Sequence, residues 1–209
     1  MKRAAGLRPA DCLQFSALDC PGLQHLFTLR SSTWKSPESA VSLLDSAPPP
    51  FVQAAQIHGN GVARVGPTHA GQSIPSVDAL VTDSTGLALL VRVADCGPLY
   101  FYDPVRRVIA LAHSGRKGTE QNIAGATLQN LKRHYGSRPE DVITVLGPCI
   151  RPPHYEVDFA REICRQVRAE GVVQVHDCGL NTASDRERFY SYRMEKGETG
   201  RHHAVLRMI

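Results

Sequence analysis

No stretch of this 209-residue chain is long and uniformly apolar. The run from Leu87 to Val93 is interrupted by Arg92 and is far too short to cross a bilayer. Met1-Lys2-Arg3 does not lead into the apolar core of a secretion signal. A cytoplasmic protein with no membrane partner is therefore expected, its cysteines reduced. Paired C-x-x-C spacing is also missing among Cys12, Cys20, Cys96, Cys149, Cys164 and Cys178, so no local zinc motif stands out. The net charge of +4 is mild and lacks the dense basic patch of a nucleic-acid binder, although it favours an anionic small molecule. Arg161, Arg165 and Arg168 recur at helical spacing and read as a solubilising face. With no repeat, low-complexity tract or linker, residues 1–209 read as one domain, residues 1–20 forming a flexible or peripheral N-terminal segment.

What is present is a strand-rich chain with a few helices. Leu23 to Leu29, Phe51 to Ile57, Val62 to Val65, Asp78 to Thr82, Leu87 to Val93, Leu99 to Tyr102 and Val108 to Ala112 have strand character. The second and third of these flank Gly59-Asn60-Gly61, a turn signal. Ser36 to Asp45 reads as a short helix ended by Pro48-Pro49-Pro50. Thr119 reads as the N-cap of a helix to Tyr135, closed by Gly136. Val142 to Leu146, a helix over Asp158 to Ala169, and strands at Val172 to Val175 and His203 to Met208 complete an α+β, mixed-sheet domain with helices outside strands.

Three residues stand where such strands end: His58 in Gln56-Ile57-His58-Gly59, Cys96 in Ala94-Asp95-Cys96-Gly97-Pro98, and His113 in Ala112-His113-Ser114-Gly115. Glycine follows each within two residues, where it permits a sharp turn and close approach of a ligand. Two imidazoles and a thiolate are good zinc ligands and leave a fourth position open, as catalytic zinc requires. Their separations of 38 and 17 residues are not diagnostic alone, and a strand cysteine is by default a small hydrophobe. The repetition of strand, reactive residue and glycine carries the expectation of a site.

Those segments, with Asp78-Ala79-Leu80-Val81-Thr82-Asp83, Leu146-Gly147-Pro148-Cys149-Ile150, Tyr155-Glu156-Val157, Tyr190-Ser191-Tyr192-Arg193 and Thr199-Gly200-Arg201, resemble the YfiH-like family, also called laccase-domain or multicopper polyphenol oxidase proteins. The motifs run in the family's order from about residue 22 onward. The resemblance implies a single-domain α/β/β/α architecture akin to the catalytic domain of cytotoxic necrotising factor, with His58, Cys96 and His113 binding zinc. It also implies a purine nucleoside phosphorylase that deaminates adenosine and cleaves methylthioadenosine, acting on nucleoside and phosphate; the oligomeric state stays open. Zinc that activates water suits the deamination. Phosphorolysis needs cationic donors, for which Arg30, Lys117 and Arg193 are the candidates.

The chain departs from the family pattern in two places. Ser114-Gly115-Arg116-Lys117-Gly118 stands where the family has Ala-Gly-Trp-Arg-Gly, so an aromatic is lost and a lysine replaces the arginine's bidentate fork. Ser31-Ser32-Thr33-Trp34 replaces the usual Gly-Gly-Val-Ser after Arg30, and Trp34 is a candidate replacement for the lost stacking surface. Copper-oxidase chemistry is not expected: the nine histidines include no His-x-His, and His202-His203 would point to opposite faces of a strand. Zinc is expected over copper. Cys149 near the site, His154, Asp95 bonding a turn amide, and His176-Asp177-Cys178 are secondary candidates, each with a structural reading beside the functional one. Two other functions use the same residues or none of them. One is a metal-free cysteine hydrolase, such as a peptidoglycan-precursor editing amidase, with Cys96 as nucleophile and His113 as base. The other is a non-catalytic binding member.

Overall fold

Tyr100, Leu111, Phe27, Leu89 and Leu206 meet in one apolar layer, although they come from strands of two different sheets. The computed structural model describes residues 11–31, 35–45 and 47–209. Its strands are β1 (Cys12–Leu13), β2 (Leu23–Thr28), β3 (Phe51–Ala54), β4 (Val62–Arg64), β5 (Ser73–Ile74), β6 (Ala79–Thr82), β7 (Ala88–Val93), β8 (Gly97–Asp103), β9 (Val108–Ser114), β10 (Ile143–Leu146), β11 (Gln174–Asp177) and β12 (His202–Met208). Its helices are α1 (Pro37–Val41), α2 (Arg116–Glu120), α3 (Ile123–Tyr135) and α4 (Phe159–Ala169). One six-stranded sheet runs β1-β2-β12-β7-β3-β5 and the other β11-β10-β8-β9-β6-β4.

The alternation of side chains along each strand builds the layers. In β8, Tyr100 and Tyr102 face the inter-sheet core, while Leu99 and Phe101 face outward, where they meet Ile123, Leu128 and Leu131 of α3 and Ile163 and Val167 of α4. On the far side, Leu90 and Val205 pack with Val41 of α1. The order is therefore α/β/β/α, in an α+β domain with two mixed sheets, as expected. Because both faces of the central strands are covered, β8 and β9 are buried along their whole length and read as near-continuous apolar runs.

Three local expectations change. The strands flanking the Gly59-Asn60-Gly61 turn signal belong to different sheets: β3 pairs parallel with β7 in the first, and β4 pairs parallel with β6 in the second. The intervening loop crosses between the sheets and is pinned by a distant carboxylate rather than by a local turn. Gly61 is required there, since a Cβ would lie 2.5 Å from the Ser76 carbonyl oxygen. Thr119 is not the cap of the long helix. It lies within α2, its hydroxyl donating to the Gly115 carbonyl at 2.8 Å, while Asn122, in a left-handed conformation, caps α3 by accepting from the Gly125 amide at 3.0 Å. Finally, residues 11–20 are not peripheral: β1 pairs with β2, Leu18 is fully buried and Phe15 joins the inter-sheet core. Residues 1–10, and Trp34 with its proposed stacking role, lie outside the described residues.

Candidate metal centre and its cleft

β9, an inner strand of the second sheet, carries His113 next to its last residue, where the side chain is buried. Cys96 sits in the turn between β7 and β8, and His58 in the loop leaving β3. Although far apart in sequence, the three bring one ligand atom each to within 4.8 Å of one another. The two imidazoles meet edge to face with centroids 4.9 Å apart. Tetrahedral zinc with bonds of about 2.0–2.3 Å would hold its ligand atoms roughly 3.5 Å apart.

Asp78, immediately before β6, organises the cluster. One of its oxygens lies 2.8 Å from His113 Nδ1 and accepts from the His58 amide at 2.9 Å. The other accepts from the Ile57 and Gly59 amides at 3.1 and 2.8 Å. His58 sits at a φ of 62°, in the left-handed region that few non-glycine residues enter, and the amide bonds to Asp78 hold the loop there. The carboxylate also commits His113 Nδ1, so Nε2 is the nitrogen left for a metal or a thiol. Gly115 leaves the necessary space. A Cβ there would stand 2.5 Å from Cys96 Sγ and 3.8 Å from the His58 ring.

The electrostatics favour ligand chemistry. Burial opposes ionisation of Cys96, but His113 and His58 outweigh it and bring the thiol down to about 6. Burial likewise opposes a charge on His113, and the thiolate of Cys96 together with Asp78 raises it to about 9. Asp78 resists burial through the same imidazole and the Gly59 and His58 amides, and stays below the usual carboxylate range. Two imidazoles and a ready thiolate around a pocket one Cβ would fill suit a metal ion, and the fourth side opens into a cleft of about 870 Å³.

Of the predicted cations, Lys117 and Arg193 line this cleft. Arg30 does not. It pairs with Glu195 at 2.7 Å, lies over the Tyr190 ring at 4.8 Å, and faces an adjoining depression of about 660 Å³. His154 contacts Asn181 at 3.1 Å, and Asp177 pairs with Arg151. Among the described residues, His58, Cys96 and His113 form the cluster able to hold a metal, and His176-Asp177-Cys178 does not. Cys149 is fully buried, which drives its thiol upward and makes it a packing residue. His202 and His203 point to opposite faces as expected: His202 packs on Phe27 toward the inter-sheet core, while His203 is paired on β7 with Arg92.

Sequence reasoning missed Asp78 as a partner, since nothing local links it to a histidine 35 residues away. Asp95 does bond a backbone amide, but that of the distant Arg193 at 2.7 Å, with Ser191 and Thr182 hydroxyls donating at 3.0 and 2.6 Å. The aromatic surface is supplied by Tyr155, Phe159 and Tyr192.

A family model described as multi-copper polyphenol oxidoreductase laccase matches residues 36–167 and 157–209. The chain belongs to that family. Relatives include the purine nucleoside phosphorylase of Deinococcus radiodurans, 33% identical over 183 residues covering 75% of this chain and 69% of the relative. The purine nucleoside phosphorylase Cgl2154/cg2365 of Corynebacterium glutamicum is 30% identical over 191 residues, covering 78% of this chain and 76% of its own length. The fold matches YlmD from Geobacillus stearothermophilus, with a TM-score of 0.86, 21% identity and 97% of both chains covered. It also matches the hypothetical protein YfiH of Bacillus licheniformis, with a TM-score of 0.83, 22% identity, and 92% of this chain and 98% of that one covered. Within this family fold, the departures Arg116 and Lys117 fall on α2, at the cleft wall. No helix among the described residues is long and apolar enough to cross a membrane.

Proposed function

We propose that this protein is a zinc-dependent purine nucleoside phosphorylase acting on adenosine, inosine and methylthioadenosine, with adenosine deaminase side activity, in the cytoplasm. The observation that carries this reading is the His58–Cys96–His113 cluster, backed by Asp78 and opening into a cleft that holds both aromatic and cationic side chains. His58, Cys96 and His113 would hold the metal. Zinc bound there would supply Lewis acidity toward the substrate and lower the pKa of water.

The remaining steps fall to the chain's own residues. Tyr155 and Tyr192 offer faces on which a purine stacks. Lys117 and Arg193 receive phosphate and hold it against the sugar, a positioning worth several orders of magnitude in rate. A phosphate oxygen then bonds to C1′ of the ribose as the bond from C1′ to the purine nitrogen breaks, its electron pair leaving with the base. Asp95 fixes the Arg193 backbone beside the cluster, and Glu156 steadies its guanidinium at 3.2 Å. Arg30, bound to Glu195, has no part in this reading.

A second reading draws on a specific observation. Asp78, His113 and Cys96 form a carboxylate–imidazole–thiol series, and the thiol is already depressed to about 6. That is the arrangement of a cysteine hydrolase.

One experiment separates the two. Metal content is measured on untagged protein and on His113→Ala, and base release from adenosine and inosine is followed with and without phosphate. About one zinc per chain, lost in the variant, with phosphate-dependent release, supports the phosphorylase. Activity that survives chelation and is abolished by alkylation of Cys96 supports the hydrolase. Ligand-induced stabilisation with no product from any purine nucleoside would leave a binding protein.

A further inference from the structure

The cleft is lopsided in charge. Arg92, Arg116, Lys117, Arg193, Lys196 and Arg201 line it, against the single lining carboxylate of Asp95. Asp95 is already engaged by Thr182, Ser191 and the Arg193 amide. Glu156 pairs with Arg193 at 3.2 Å and Arg116 at 3.6 Å. Among the described residues, Arg92, Lys117, Lys196 and Arg201 have no carboxylate within ion-pair distance, and Arg201 donates to the Thr199 and Gly200 carbonyls instead. Inorganic phosphate is one dianion, and Lys117 with Arg193 is enough to receive it. With Arg116 paired to Glu120 and Glu156, three unpaired cations are left over: Arg92, Lys196 and Arg201.

All three line the one cleft, and Arg201 and Lys196 are tied to the Tyr192 ring and its turn. The Arg201 guanidinium lies 5.7 Å from the centre of Tyr192. Gly197, the residue after Lys196, packs against the Tyr192 phenol, and its amide donates to the Tyr192 carbonyl at 2.9 Å. Lys196 itself is held at a φ of 53°, a conformation that disfavours a lysine and marks a constrained turn. Arg92 joins through strand register. Its pairing with His203, and that of Val93 with His202, places Arg92 beside the start of β12, which Arg201 immediately precedes. The Gln56 side chain locks the Arg92 backbone, accepting from its amide at 2.8 Å and donating to its carbonyl at 2.6 Å. Like charges gathered in one cleft repel one another, and an anion among them relieves the repulsion.

We propose that Arg92, Lys196 and Arg201 form a second anion subsite that takes a phosphate ester on the ribose, so that the cleft accepts purine nucleotides as well as nucleosides and binds the nucleotide more tightly. The inference rests on the phosphorolysis reading above. The chemistry balances in the same way. An oxygen of hydrogen phosphate bonds to C1′, the C1′–N bond breaks, and the electron pair leaves with the purine, which takes the proton of the attacking hydrogen phosphate. The products are free base and a ribose bisphosphate.

The test is calorimetric titration with adenosine, adenosine 5′-monophosphate and inorganic phosphate. It is run on the parent and on Arg92→Ala, Lys196→Ala and Arg201→Ala, alongside phosphate-dependent release of adenine from both adenine compounds. The parent should bind the nucleotide about tenfold more tightly than the nucleoside. This advantage should persist in saturating inorganic phosphate, shrink with added salt, and fall toward unity in the variants. The parent's own affinity ratio tests the idea even where a variant misfolds. Equal affinities in the parent, an undiminished ratio in folded variants, or an advantage cancelled by inorganic phosphate (a subsite for free phosphate) would each overturn it. If adenosine is cleaved with phosphate and the nucleotide gains nothing, this inference fails while the phosphorylase reading stands. If neither compound binds, both fail.

Discussion

Asp78 and His113 meet through a 2.8 Å contact between a carboxylate oxygen and Nδ1, and the same carboxylate accepts the amides of Ile57, His58 and Gly59. One side chain thus orients both histidines of the cluster, one through its ring and the other through its backbone. Asp78→Ala should weaken zinc binding by about 10–100-fold, the range typical for loss of a carboxylate behind a histidine ligand. It should also destabilise the fold by about 1–3 kcal/mol, because buried amides lose their acceptor. Competition titration with a chromophoric chelator and urea unfolding measure the two effects. Unchanged metal affinity would show that His58 and His113 are oriented by packing alone.

Gly115 tests the cluster by volume rather than by charge. A methyl group at this position would lie 2.5 Å from Cys96 Sγ, well inside contact distance. Gly115→Ala is expected to abolish stoichiometric metal and activity together. Gly66→Ala, whose nearest neighbour would be 3.8 Å away, should change neither. Metal analysis and activity of the two purified variants make the comparison, and a metal-loaded Gly115→Ala protein would contradict the assigned geometry.

Acid should weaken the fold through buried neutral histidines. Burial lowers both His25 and His202 from 6.5 to about 4. In each ring Nε2 accepts a backbone amide, from Phe15 at 2.7 Å and from Tyr190 at 2.8 Å, so a proton there would displace a hydrogen bond. The folded state therefore binds these protons less readily than the unfolded chain. Their contribution is fully present above pH 6.5 and is lost as pH falls from 6.5 toward 4, at up to about 1.4 kcal/mol per pH unit for each residue. Urea midpoints measured between pH 7.5 and 4.5 should fall, and the fall should be shallower in His25→Gln/His202→Gln, even if that variant is less stable at pH 7.5.

The three members of the cluster were legible in the sequence because each stands at or just beyond the end of an apolar run beside glycine, a pattern that strand geometry imposes locally. The alternation in β8 and β9 was equally plain, since burial on both faces leaves little room for polar residues. What was not legible is what long-range contacts decide. Gly59-Asn60-Gly61 reads as a local turn between two strands, but Asp78 draws this loop across to the second sheet. Thr119 resembles a cap, but it is used within α2, and Asn122 starts α3. Arg30 resembles a phosphate ligand, but Glu195 holds it outside the cleft, while the cations nearer the cluster come from α2 and from the segment before β12.

Glu156 sets the last prediction, since it restrains Arg193 and Arg116 from a half-exposed position at the rim of the cleft. Exposed pairs of this kind are worth about 0.2–1 kcal/mol. Releasing them should therefore improve phosphate binding only modestly, by roughly two- to fivefold. Glu156→Gln keeps the side chain's shape and removes its charge. The Michaelis constant for phosphate should fall by that factor while the constant for the nucleoside moves little, because the stacking faces of Tyr155 and Tyr192 are untouched. A rise in the phosphate constant instead would mean that Glu156 holds Arg193 in its working position, and that this restraint outweighs the charge it neutralises.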